Sequence, residues 1–308
     1  MSNSQESTSI SFNGRLPGLK LDPNHYLPLP DEIKFLKEQT GIEDEEELKN
    51  HIVSVQTDAW QTTNYLCIQR FWFTNLKISF LSAYSLLLAM GKERPDAIFL
   101  DLGCCFGNDV RKAVADGFPI KNCIASDIRK EFWELGHKLY RSTPETFPVS
   151  FITGDIFDPN HLAPAPPSYS APTTPKPILS TLTSLTPLHG HVSAIHSSQF
   201  FHLFNKEQQI SAAHSLASLL SPEPGSMIFG EHSTMQKTGE SSNTYRQQSM
   251  WCFDPNDWET LWKEIFSESK IEVKTKVYER KGGKDFANRR HDGDGSGRVT
   301  MEWYIRRL

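Results

Sequence analysis

A chain of 308 residues with 38% hydrophobic and 22% charged side chains can bury a sizeable core, which excludes disorder along its whole length. Thirty-two Lys and Arg against 37 Asp and Glu leave a formal charge of −5, and no basic run or stripe exists to bind a phosphate backbone, so nucleic acid is not the expected partner. Apolar runs fall short of the ~20 residues a membrane span needs, and five cysteines with no CxxC pair fit neither a disulfide framework nor a zinc module, so a cytoplasmic, reducing location is expected.

Residues 1–23 are polar, lack a signal-peptide pattern and read as a flexible leader. Residues 24–95 form an N-terminal helical cap. Its helical pattern runs from Asp31 through an acidic turn at Glu43 to Glu47, then Leu48 to Gln56, and ends in a long aromatic-rich stretch from Trp60 to Met90. After Pro95 short apolar runs alternate with helical patterns, the texture of a parallel sheet wrapped by helices. Five strands are expected, at 97–101, 123–127, 149–153, 192–196 and 226–230. Asn205 with Gln208 makes a capping box for a helix from Lys206 to Leu220, and Asp254 with Pro255 opens another. Two period-two segments, 271–279 and 299–306, predict an antiparallel hairpin added at the sheet edge. Residues 163–187 hold seven of the 19 prolines and no acid, which rules out regular helix. Their place after the third strand predicts an extended, partly mobile insertion near the strand tips, dispensable for folding and needed for turnover.

The sharpest local signal is Asp101-Leu-Gly103-Cys-Cys-Phe-Gly107, a strand ending in an acid, turning through glycines and opening a helix. Glycines at 103 and 107 let a ligand lie over the turn. Cys105 stands where a nicotinamide dinucleotide motif needs its second glycine, and an acid at the strand tip repels a pyrophosphate, so such a dinucleotide is disfavoured. The second strand ends at Asp127, the usual place for a carboxylate that holds ribose hydroxyls, and the third at Gly154-Asp155-Ile156. In an open parallel sheet these three tips meet at one crevice.

These motifs resemble those of the class I S-adenosylmethionine-dependent methyltransferases. More narrowly, Phe99 to Lys112, Ala125-Ser-Asp-Ile128, Gly154-Asp-Ile-Phe-Asp-Pro159 and Ile195-His-Ser-Ser-Gln-Phe-Phe-His-Leu-Phe204 resemble the fungal small-molecule methyltransferases of terpenoid and meroterpenoid pathways, several of which are carboxyl O-methyltransferases. The resemblance covers most of the chain, and less specifically the part after Gly230. It implies a Rossmann-like α/β fold, a mostly parallel seven-stranded sheet with a C-terminal antiparallel hairpin, over residues 96–308. It further implies that S-adenosylmethionine is held by Asp101, Gly103, Cys104, Phe106 and Gly107 at the methionine end, Asp127 and Ile128 at the ribose, and Asp155 and Ile156 at the adenine. Ile195, His196 and Ser197 would then face the sulfonium and the acceptor. His196 is the candidate catalytic residue, and Tyr65, Trp72, Gln199, His232 and Trp251 are candidates for the acceptor wall. The acceptor expected is an apolar small molecule, methylated on a carboxyl group, or alternatively on a hydroxyl or phenol with His196 or His232 as base; a non-catalytic binding protein of the same fold is the remaining alternative. No metal is expected, and a homodimer is left open.

Plainer readings accompany several of these residues. His196 and His202 can be histidines flanking an apolar strand and helix, and Cys104 and Cys105 small residues packed beside a cofactor. His189-Gly-His191 lacks a third ligand nearby in sequence for a metal. Asp292 to Glu302 mimics a calcium loop, but its last acid falls one position early and a strand follows.

Overall fold

The computed structural model describes residues 20–243, 248–278 and 298–308. The leader up to residue 19 and the calcium-like loop up to residue 297 lie outside the described residues. The chain opens with α1 (Pro30–Thr40), whose first turn is capped by the Glu32 carboxylate accepting from Leu29 N, and which stops at Gly41 in the left-handed region, φ 69°. Asp44 caps α2 (Glu45–Thr62) by accepting from Glu47 N at 2.8 Å. The aromatic-rich stretch is not one long helix. It breaks into α3 (Leu66–Gln69), single 3₁₀ turns at 72–74 and 78–80, and α4 (Tyr84–Glu93). The β-branched pair Thr62-Thr63 ends α2, and Phe71 adopts φ 57°, which no helix continues through.

The remaining elements alternate: β1 (Ile98–Leu102), α5 (Asn108–Ala115), β2 (Cys123–Asp127), α6 (Lys130–Leu139), β3 (Ser150–Thr153), β4 (Val192–His196), α7 (Lys206–Leu219), β5 (Met227–Met235), β6 (Gly239–Asn243), β7 (Gln248–Cys252), α8 (Pro255–Ile265), β8 (Ile271–Tyr278) and β9 (Arg298–Arg307). The expected capping box at Asn205 and Gln208 and the Asp254-Pro255 start of α8 are both present. Seven strands make one sheet in the order β3-β2-β1-β4-β5-β9-β8, parallel from β3 to β5, with β9 antiparallel to both neighbours. The mostly parallel sheet with an antiparallel C-terminal pair is thus as expected. β6 and β7 form a separate hairpin that the sequence reading missed.

Both faces of the sheet are covered, as a parallel sheet requires. Ile98, Leu100, Ile124 and Ile228 face α7 and α8, while Phe99, Ala125, Ala194 and Phe229 face α4 and α5. A third cluster joins α1 and α2 to α6 through Phe35, Ile52, Phe132 and Tyr140, and Phe106 of the glycine loop stacks between Phe73 and Phe132. The cap therefore buttresses the glycine loop from behind.

The Pro-rich segment lies elsewhere than expected. It serves as the crossover from β3 to β4, burying Leu179, Leu185 and Leu188 against the sheet where a helix would ordinarily pack. Ahead of these leucines the segment runs along the end of the sheet opposite the strand tips. There Lys176 pairs with Asp96 just ahead of β1, Arg307 of β9 donates to Ser168 O at 2.7 Å, and Thr174 meets His191 at 3.0 Å. Sequence periodicity could not reveal this, since prolines forbid the helical repeat while leaving the leucines free to pack. Shortening residues 165–176 is accordingly expected to lower the melting temperature, by about 2–4 °C per kcal/mol lost, and to leave cofactor affinity of the folded fraction unchanged. Calorimetric melting with ligand titration checks this; an unchanged melting temperature with lost turnover would return the segment to the crevice.

Candidate active site

The strand order reverses between β1 and β4, which opens the crevice at the carboxyl ends of the parallel strands. Register puts the predicted tips side by side, Asp101 opposite His196 and Asp127 opposite Thr153. The glycine loop is tied to the end of β2: Gly103 N and Cys104 N donate to Ser126 O at 2.8 and 3.2 Å, and Cys105 N to Asp127 Oδ2 at 2.9 Å. Gly103 and Gly107 both lie in the left-handed region (φ 71° and 74°), and so does Cys105 at φ 52°, a strained position for a residue with a side chain. A Cβ on Gly107 would meet the Trp133 ring at 2.6 Å.

Asp127 is half-buried, and its other oxygen accepts from Arg129 N at 2.8 Å. Burial pushes its carboxyl pKa up, and the two backbone donors oppose that shift. Each oxygen keeps a further lone pair for a ligand hydroxyl. Next to it Ile128 is 58% exposed, an apolar side chain left at the rim. Asp155 is exposed and accepts from Phe157 N at 3.0 Å, while Ile156 is buried. Phe157 packs edge-on against Phe204, Phe204 against Phe200, and the Phe200 ring covers Gly103. An aromatic wall thus runs from the tip of β3 to that of β1.

Asp101 is committed within the protein. One oxygen accepts from Val110 N in the first turn of α5 at 3.2 Å, and the other lies 2.8 Å from His196 Nδ1. The second ring nitrogen of His196 lies 2.7 Å from Ser198 Oγ, which also accepts from Glu231 N at 3.2 Å. Burial raises the Asp101 carboxyl, with the neighbouring imidazole acting in the opposite sense. His196 is only 1% exposed, so both of its nitrogens are spoken for inside the fold. Ser197 is fully buried, donates its N–H to Phe229 O, and its hydroxyl has no partner among the described residues.

The acceptor-side candidates do not form one group. Gln199, at φ 56°, donates its backbone N–H to Glu231 O and its amide to Glu231 Oε1, at 2.6 and 3.2 Å. Trp251 on β7 is half-buried, with Lys206 Nζ 5.0 Å from its ring centroid. His232 turns into an aromatic box of Phe201, Trp258 and Trp303, where Trp303 Nε1 donates to its Nδ1 at 2.8 Å and burial holds its pKa down to about 3. Tyr65 belongs to the opposite flank, while Trp72, half-buried, opens the 3₁₀ turn at 72–74. The Tyr65 hydroxyl is hydrogen-bonded to Arg129, and its ring meets Phe132, which puts it beside Asp127.

Six residues of the site escaped the sequence reading: Ser198, Phe200, Phe204, Phe157, Arg129 and Glu231. The first three lie within the quoted Ile195 to Phe204 motif, Phe157 lies within the Gly154 to Pro159 motif, and Arg129 immediately follows Asp127-Ile128. Glu231 had no local signal, since its role depends on how β5 registers against β4.

A family model for the meroterpenoid methyltransferase N-terminal domain matches residues 22–74. The chain is 32% identical over 221 residues to the asnovolin E/chermesin D methyltransferase nvfJ of Aspergillus novofumigatus, a match covering 71% of this chain and 70% of that protein. It is 27% identical over 267 residues to O-methyltransferase phiE of a fungal species, covering 83% and 81% of the two chains. Among solved structures, the 1,6-didemethyltoxoflavin-N1-methyltransferase of Burkholderia thailandensis aligns with a TM-score of 0.45 at 12% identity, over 87% of this chain and 92% of that one.

Proposed function

The chain belongs to the S-adenosylmethionine-dependent methyltransferases of fungal meroterpenoid pathways, and from that premise we propose that it methylates a carboxylate oxygen of an apolar small molecule, releasing a methyl ester. The residues at the strand tips fit the cofactor. Asp127 would hold the ribose hydroxyls through its free lone pairs with Ile128 beside them, Ile156 would flank the adenine with Asp155 beside its amino group, and the left-handed turns at Gly103 and Gly107 would shape the loop that lies along the methionine portion. Asp127 and Asp155 at the strand tips, with Cys105 in place of the second glycine of a dinucleotide motif, suit a ligand without a pyrophosphate.

S-adenosylmethionine supplies a methyl carbon that is electrophilic by itself, so the protein's share is to align the acceptor oxygen and exclude water. The aromatic wall of Phe157, Phe200 and Phe204 suits an apolar acceptor. One observation carries the choice of oxygen: both histidines of the sequence reading are held inside the fold, His196 with its two nitrogens engaged and His232 kept neutral in an aromatic box. A carboxylate is ionised at neutral pH and needs no base, whereas a phenol or alcohol does.

Turnover at saturating acid is therefore expected to stay flat from about pH 6 to 8, because an acid with a pKa of about 4–5 is already ionised there. His196→Gln should lower kcat by no more than about tenfold. A rate that climbs through neutral pH on a phenol, with a loss of ~10² or more in His196→Gln, would overturn the carboxylate reading in favour of a hydroxyl acceptor. Labelled S-adenosylmethionine with a panel of apolar acids and phenols provides the measurement.

A further inference from the structure

We infer that Ser198 Oγ–H is the anchor for the acceptor's carboxylate, and that Asp101 and His196 are positioning residues that keep this hydroxyl turned outward. The inference rests on the carboxylate reading above. Ser198, His196 and Asp101 form one chain of contacts of 2.7 and 2.8 Å from the tip of β4 to that of β1. Exposure distinguishes its members: Asp101 and His196 are 2% and 1% exposed, while Ser198 keeps 8%. The serine is the least enclosed of the three.

The direction of the serine hydroxyl follows from proton counting. If His196 carries one proton, on Nδ1 facing an ionised Asp101, its Nε2 is a bare acceptor and captures the Ser198 hydroxyl proton. The pair then holds a net negative charge in a site sealed from water, which is costly. If the pair holds one more proton, that cost is removed. The added proton makes His196 an imidazolium beside a carboxylate, or else sits on Asp101 and donates to Nδ1. In both arrangements Nε2 carries a hydrogen and donates to Ser198 Oγ.

Ser198 then accepts from His196 as well as from Glu231 N, and its own proton is left to donate outward. An outward O–H suits an anion, whereas the singly protonated pair would leave only a lone pair to offer. The charged and titratable groups around the pair are Asp109 on α5, itself 3.7 Å from Lys77, Cys104 in the glycine loop, Cys123 and Asp127 on β2, and Glu231 on β5. The Asp109–Lys77 pair neutralises itself, so no neighbouring cation on these elements is left to balance Asp101 in place of the shared proton.

Initial rates with an apolar monocarboxylic acid, at saturating S-adenosylmethionine and from pH 6 to 9, test this. The parent enzyme is expected to show a low KM for the acid while the pair keeps the shared proton, and any pH that removes that proton should raise KM while kcat stays flat. Ser198→Ala should raise that KM by about tenfold or more and abolish its pH dependence, with S-adenosylhomocysteine affinity unchanged, and Ser198→Thr should restore both. Asp101→Asn provides a second reading if Ser198→Ala does not fold. An amide at 101 donates to Nδ1 and accepts from Val110 N, which locks the hydrogen onto Nε2 and should make KM independent of pH. If acids are turned over but Ser198→Ala keeps the parental KM, or Asp101→Asn keeps its pH dependence, the anchor is overturned and the carboxylate reading stands. If only hydroxyl compounds are methylated, the carboxylate reading falls and the anchor falls with it.

Discussion

Replacing Asp127 by Ala is expected to weaken S-adenosylhomocysteine binding by about 1.5–3 kcal/mol, on the order of 10- to 150-fold, because charge-assisted hydrogen bonds to two hydroxyls are lost. The structure adds a second contribution in the same direction. Asp127 also takes the N–H of Cys105, whose left-handed backbone needs an outside tether, so the variant loosens the glycine loop itself. Asp127→Asn keeps an acceptor for one of the two backbone donors and should fall between parent and Ala. Isothermal titration with S-adenosylhomocysteine decides the matter; an affinity equal to the parent's would place the ribose elsewhere.

Gly230→Ala should damage the fold and turnover together. Gly230 lies where the chain leaving β4 crosses β5, and a Cβ there would sit 2.7 Å from the Ser197 carbonyl carbon and nearer still to its oxygen. Backbone cannot swing aside as the end of a long side chain would. The cost expected is that of overpacking, about 1–3 kcal/mol, appearing as a lower melting temperature. Displacing Ser197 by a few tenths of an ångström also moves Ser198 and Gln199, whose partners are on Glu231. Misplacement of that kind can cost on the order of 10²-fold in rate. Scanning fluorimetry and turnover on one sample check both effects, and parental values for both would contradict the close approach.

The strand tips were legible because each is a short apolar run ended by an acid and followed by glycine or a helix start, as at Leu100-Asp101-Leu-Gly103 and Ala125-Ser-Asp127. Caps were legible for a similar reason, since Asn205 with Gln208 and Asp254 with Pro255 act within one helical turn. What stayed hidden depends on partners far apart in sequence. Ser198 becomes part of a chain only because Asp101, 97 positions earlier, reaches His196 across the β1–β4 register. Glu231 joins it through the β4–β5 register. The β6–β7 hairpin was missed because Glu240-Ser-Ser-Asn243 has no apolar alternation to announce a strand. His232 read as a candidate for the acceptor wall and as an alternative base because nothing local shows that Trp258 and Trp303 close around it.

The place of β9 between β5 and β8 bears on how the protein is born. β5 leaves the ribosome about 70 residues before the strand that will cover its free side. At a synthesis rate of roughly 5–20 residues per second, that edge stays open for several seconds or more. During that interval Met227 to Phe229, buried in the finished sheet, present a parallel-sheet edge with open backbone donors and acceptors. The nascent chain is therefore most vulnerable to intermolecular strand pairing in that window, and residues 298–307 act as the intramolecular competitor that ends it.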